Sequence, residues 1–249
     1  MINHYIIVAS AYSIGKRIAL DYTGHRFKKH LIQQDIEYII EKCGNDVAIS
    51  SHSIQTESES WDSVEKKDYF FKDVKLVNDK KEFVNLLLKD RELKGIDIAK
   101  YILSVTPSTH LKLQKLVYMC YADYLCEENE KLFDDKIYAY RLGPVIESIY
   151  QKYKKSSCGI LATEDNKITY DENQRKMSSK SRILASKNGL KKITSIDKTI
   201  KKYENCSASQ LVELTHKKNT PWKKTGAGVF SNKIIKDELI KEYHKNEIY

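Results

Sequence analysis

Between residues 25 and 43 the apolar side chains Ile32, Ile36, Ile39, Ile40 and Cys43 recur at the three- and four-residue spacing that gathers them on one face of a helix. Gly44 follows where the chain needs a residue tolerant of positive φ to leave that helix. Asp46–Thr56 and Tyr69–Val77 are rich in β-branched and aromatic residues and predict two strands, joined by a polar Glu/Ser-rich connection. Lys80–Lys89, with Phe83, Leu86 and Leu87 on one side, predicts a further helix. Residues 1–95 therefore read as a small α/β unit, and no motif marks their role.

From residue 96 onward the pattern is mostly helical. Asp97–Leu103 predicts a short helix that stops before Thr106-Pro107, since proline disfavours helical geometry in the residue before it and suits the first turn of a new helix. The new helix, Ser108–Glu128, carries Leu113, Leu116, Val117, Cys120 and Tyr124 in a stripe that must be buried. In Lys136–Leu142, Ile137, Ala139 and Arg141 alternate with Tyr138, Tyr140 and Leu142, as in a strand. Gly143 then turns the chain, and Pro144 is expected to open a helix through Lys154 with Val145, Ile149 and Tyr153 inward. Ser207-Ala-Ser-Gln210 has the form of a capping box before Leu211, Leu214 and Thr215. A final helix is expected over Asn232–Lys245, with Ile235, Leu239 and Tyr243 facing inward. The expected fold class is α+β: a predominantly helical C-terminal domain (96–249) with a short β element, preceded by the α/β unit (1–95).

Charge changes this picture in one place. Ten of the lysines and arginines lie between Asp171 and Tyr203 against three acids, so this segment holds seven of the chain's nine net positive charges. Two readings compete: a solvated connector, or a contact for phosphates or an acidic partner. The segment lacks the regular aromatic interleaving of single-strand binding surfaces. Five scattered cysteines with no CxxC pair fit reduced thiols, with Cys120 and Cys126 as packing residues, so neither a disulfide framework nor a metal is expected. No run approaches the roughly 18 apolar residues of a membrane span, and the apolar start Tyr5–Ala11 lacks the flanks of a signal peptide, so the expected location is the cytoplasm, without membrane partners. Phosphate-cradling loops of the GxxxxGK[ST] or GxGxxG type and the GxSxG elbow are missing, which leaves the corresponding chemistries without an obvious seat and no cofactor expected.

Leu111–Tyr121 (LKLQKLVYMCY), Phe133, Ile137–Val145 (IYAYRLGPV), Tyr150, Leu214-Thr-His216 and Pro221-Trp222 stand in an order and spacing that resembles the Panacea domain of SocA-like, phage-associated antitoxins. The resemblance implies a mostly helical module that neutralises a protein toxin by binding it directly, with a protease (the module acting as adaptor) and operator DNA as further candidate partners. It marks Leu113, Gln114, Lys115, Leu116, Tyr118, Arg141, Gly143, Pro144, Val145, Tyr150, His216, Pro221 and Trp222 as family-motif positions, structural or partner-binding rather than catalytic. By residue type, Leu113, Leu116 and Val117 are core, Gly143-Pro144 fix a turn, and Trp222 anchors a loop. Lys115 and Arg141 are candidate exposed contacts for an acidic toxin surface. His216 alone has catalytic or ligand potential, and with no HExxH or neighbouring nucleophile it reads as a hydrogen-bonded packing residue. The expectation is an antitoxin and not an enzyme. The competing readings are a nucleic-acid-binding regulator or phage accessory protein, and a hydrolase using His216.

Overall fold

A computed structural model describes residues 1–26, 28–154, 159–161, 172–226 and 233–248, with the side chains of 172–176 left aside; Cys158 and Asn232 lie outside the described residues. The chain divides into two compact units, residues 1–92 with 185–187, and residues 93–184 with 188–249.

The first unit is built on β1 (Ile2–Ala11), β2 (Lys16–Gly24), α1 (Lys29–Cys43), β3 (Ser50–Thr56), α2 (Trp61–Lys67), β4 (Lys75–Leu76) and α3 (Lys80–Arg91). Its sheet has the order β3-β1-β2-β4, antiparallel except for the β2–β4 pair. On one face Ile7, Ala9 and Leu20 meet Ile39 of α1 and Phe83 and Leu87 of α3. On the other, Ile6, Val8 and Ala19 meet Val64 of α2 and Phe71. The central strand β1 is thus buried on both faces, which is why its sequence runs apolar without alternating. The Asp90 carboxylate accepts the Tyr12 and Ser13 N–H groups at 2.6 and 2.8 Å, satisfying the turn between β1 and β2.

The second expected strand is corrected. Tyr69–Phe71 forms a 3-10 turn because the Asp68 carboxylate accepts the Phe70 N–H at 2.8 Å, and only Lys75–Leu76 pairs as a strand. The polar connection between the two contains α2.

The second unit comprises α4 (Gly95–Val105), α5 (His110–Glu128), β5 (Ile137–Tyr140), β6 (Gly143–Ile146), α6 (Glu147–Tyr153), α7 (Glu172–Leu184), α8 (Gly189–Tyr203), α9 (Ala208–His216), α10 (Pro221–Lys224), β7 (Lys233–Ile234) and α11 (Asp237–Tyr243). α5 is its axis, packed by α4, α8, α9, α11 and β6. It is buried from Leu113 through Ala122, not along one stripe, so Gln114, Lys115, Tyr118 and Tyr121 are enclosed along with the aliphatic residues. A small antiparallel sheet, β6-β5-β7, lies beside it.

Several boundaries move for local reasons. α5 begins at His110 because Thr109 caps it, accepting the Lys112 N–H, while Ser108 and Thr109 are extended and paired with residues 160–161. Pro144 lies in a strand, and the helix expected from it starts at Glu147. The last helix starts at Asp237, since Lys233–Ile234 pair with β5. The capping box at Ser207 and Gln210 forms in both directions. The basic segment is no solvated connector: α7 and α8 bury Ile183, Ile193, Ile196, Ile200 and Tyr203, and Lys191 and Lys198 pair with Glu128 and Glu127. The fold is α+β, as expected.

Because Leu116 sits fully buried in the axial helix, Leu116→Ala is expected to cost about 2–5 kcal/mol in urea unfolding. The exposed Leu190→Ala in α8 is expected to change stability by less than about 0.5 kcal/mol.

Candidate functional site

The family-motif positions converge on the β5–β6 hairpin. Tyr140 pairs with Gly143, leaving Arg141 and Leu142 as an exposed two-residue turn. Ala139 faces Pro144, which has no N–H to give, so this is a non-hydrogen-bonded pair; by the alternation of an antiparallel ladder, Ile137–Ile146 is another. The backbone groups of Pro144 and Ile146 therefore point away from β5. β6 is the edge of the sheet, and in the interior those groups need partners.

α5 supplies them. Gln114 Nε2 donates to the Ile146 carbonyl at 3.2 Å, and the Ile146 N–H donates to Gln114 Oε1 at 2.9 Å. Lys115 Nζ donates to the Pro144 carbonyl at 2.6 Å. Two side chains of one helix thus do for β6 what a neighbouring strand would do. Lys115 is 0 % exposed, which corrects its expected role as a surface contact. Burial pulls its pKa down to about 7, against a smaller opposing pull from Glu247.

The turn is held from the other side by α9 and α10. Trp222 Nε1 donates to the Tyr140 carbonyl at 2.8 Å, and the His216 ring lies against the Trp222 ring with centroids 3.8 Å apart. His216 Nδ1 stands 2.7 Å from the Val212 carbonyl and Nε2 3.3 Å from that of Arg141. Neither nitrogen faces a thiol or carboxylate among the described residues. Pro221 occupies the first turn of α10, whose cap Thr220 also donates to the Thr215 carbonyl at 2.7 Å. Gly143 has φ +104°, and a Cβ there would meet Thr215 Oγ1 at 2.8 Å and Lys115 Nζ at 2.9 Å. Leu113, Leu116 and Val145 are core, and Tyr150 is half-buried against Tyr140 and His110. Arg141 is exposed, as its expected contact role requires.

Tyr118 belongs to a second polar cluster that no sequence motif signals, because its members come from three separate stretches of chain, in α5, α8 and the C-terminal segment. Its hydroxyl donates to Glu247 at 2.7 Å; His244 bridges Glu247 and Asp123 at 2.8 Å each; Thr199 donates to Asp123 at 2.8 Å. Burial would lower the His244 pKa, but the two carboxylates outweigh it and push it up to about 9. Burial raises that of Glu247. Burial also works to raise that of Asp123, yet its hydrogen bonds from His244 and Thr199 hold it below the usual carboxylate range.

This arrangement of helices around a clamped hairpin coincides with a known module. Residues 113–223 match the family model described as antitoxin SocA-like, Panacea domain, and every motif position named above lies within that stretch. The resemblance read from the sequence is thereby shown over these residues, which are similar to the Panacea domain of SocA-like antitoxins. No curated protein and no solved structure matches the chain.

Gly143→Ala is expected to destabilise the second unit by about 1–3 kcal/mol in urea unfolding, through both its φ and the crowding at Thr215. The pH dependence divides between two groups. His244, raised in the fold, stabilises fully below about pH 6.5 and loses that contribution as pH rises through about 9. Lys115, lowered in the fold, makes stability climb from about pH 7 toward 10.5. Stability of Lys115→Met is therefore expected to fall more steeply than wild type between about pH 7 and 9. Parallel slopes for the two proteins would contradict this assignment.

Proposed function

We propose that this chain is an antitoxin that neutralises a protein toxin by binding it directly through its Panacea region. The match over residues 113–223 carries the reading. The use of the motif side chains supports it: Gln114, Lys115, His216 and Trp222 direct their polar atoms to backbone groups, which is the behaviour of a binding scaffold. Recognition then falls to the surface around them, with Arg141 and the 44 % exposed Leu142 at the hairpin tip as the nearest candidates. The first unit would set toxin choice or add stability, and the chain would act without catalysis, in the cytoplasm.

Operator binding by the basic segment is the weaker alternative, because two of its exposed lysines already pair with Glu127 and Glu128. An adaptor role toward a protease would be an addition to toxin binding.

Expression of the gene adjacent to this chain's own, alone and together with it, tests the reading. Growth arrest by the neighbour, rescue by this chain and co-purification of the pair are expected; toxicity without rescue or complex would overturn it. Arg141→Glu with Leu142→Asp is expected to weaken rescue while leaving the unfolding midpoint unchanged.

A further inference from the structure

Beside the Asp123–His244–Glu247 cluster the second unit opens a cleft of about 370 Å³ between the end of α5, α8 and the C-terminal segment. Four lysines line it: Lys198 and Lys202 of α8, Lys241 of α11, and Lys245 just beyond it. The two acids that line it are already engaged, Asp123 by His244 and Thr199, Glu127 by Lys198 and Ser195. Lys241 and Lys245 form no ion pair among the described residues, and Lys202 stands over the Tyr203 ring with no direct carboxylate contact. His244, 2 % exposed and held from both sides, closes the back of the cleft. Among the described residues, the lining of the cleft therefore carries more lysines than acids to neutralise them.

The shape of that surplus selects its ligand. A duplex backbone presents charge as a line of phosphates and is met by cations along an exposed stripe. Here the cations ring a depression whose lining includes Cys126, Thr199 and Ile248, which suits the methylenes of one inserted side chain.

We propose that this cleft receives a carboxylate side chain from an acidic segment of a partner protein. Only the owner of that segment, a toxin, rests on the antitoxin reading; the cleft binds acidic peptide whatever that owner is. Rim charges of this kind act mainly on encounter rate and salt dependence.

The test is fluorescence anisotropy of labelled hexaglutamate with the full chain, with hexaglutamine and a short DNA duplex as comparison probes. Hexaglutamate is expected to bind, to weaken with added salt, and to lose about tenfold in affinity in Lys241→Glu/Lys245→Glu, the effect of two lost exposed pairs. Lys241→Ala/Lys245→Ala is expected to shift the same way by less, and Lys180→Glu on the exposed part of α7 to change nothing. Equal hexaglutamate binding by wild type and the double variants overturns the proposal. Duplex binding that outcompetes the peptide and depends on the same two lysines also overturns it, in favour of a phosphate ligand. Toxin rescue is read separately, so failure here leaves the antitoxin reading to its own experiment.

Discussion

An edge strand inside a protein has a side of its backbone that water cannot reach, and the second unit is organised around meeting that need. β6 leaves the carbonyls of Pro144 and Ile146 and the N–H of Ile146 facing α5. An unpaired buried backbone group costs about 1–3 kcal/mol. A carboxamide is a neutral side-chain group that can both donate to and accept from a peptide group in parallel, and that of Gln114 does both at Ile146. Lys115 meets Pro144, which itself fits the edge because its missing N–H would have faced outward. The rest of the motif follows: Gly143 gives Lys115 and Thr215 room, while Trp222 and His216 fix the turn that sets the strand register.

The same helix joins the hairpin to the C-terminal segment. One helical turn beyond Lys115, Tyr118 reaches Glu247, whose charge Lys115 also feels, and Asp123 reaches His244, so α5 ties the hairpin and the C-terminal segment into one interior. A buried lysine and a buried histidine are costly where unpaired and hold a unique arrangement where paired. Their opposite titration makes the pH profile a report on which of the two groups is loosened.

The sequence made some of this legible and concealed the rest for physical reasons. Helices announced by apolar periodicity and caps were readable, such as Ile32 to Cys43 with Gly44 and the Ser207–Gln210 box. So was β5, whose Ile137 and Ala139 turn inward while Tyr138 and Tyr140 stay half-buried. β1 was not, because burial on both faces removes the alternation that identifies a strand. Pro144 suggested a helix start, since its edge position depends on pairing with Ala139 and on Lys115, 29 residues earlier. The motif positions were visible, but Lys115 looked like surface: its burial comes from a neighbour strand that only the fold supplies. The Tyr118–Glu247–His244–Asp123 cluster left no local trace, being assembled from distant helices.

The most direct test of this account is backbone amide hydrogen exchange at Ile146 in wild type and in Gln114→Leu, which removes both side-chain hydrogen bonds at similar volume. Ile146 is expected to lose protection in the variant while the amides of Val117 to Tyr121 in α5 keep theirs. Unchanged protection at Ile146 would contradict the claim that α5 stands in for a neighbouring strand.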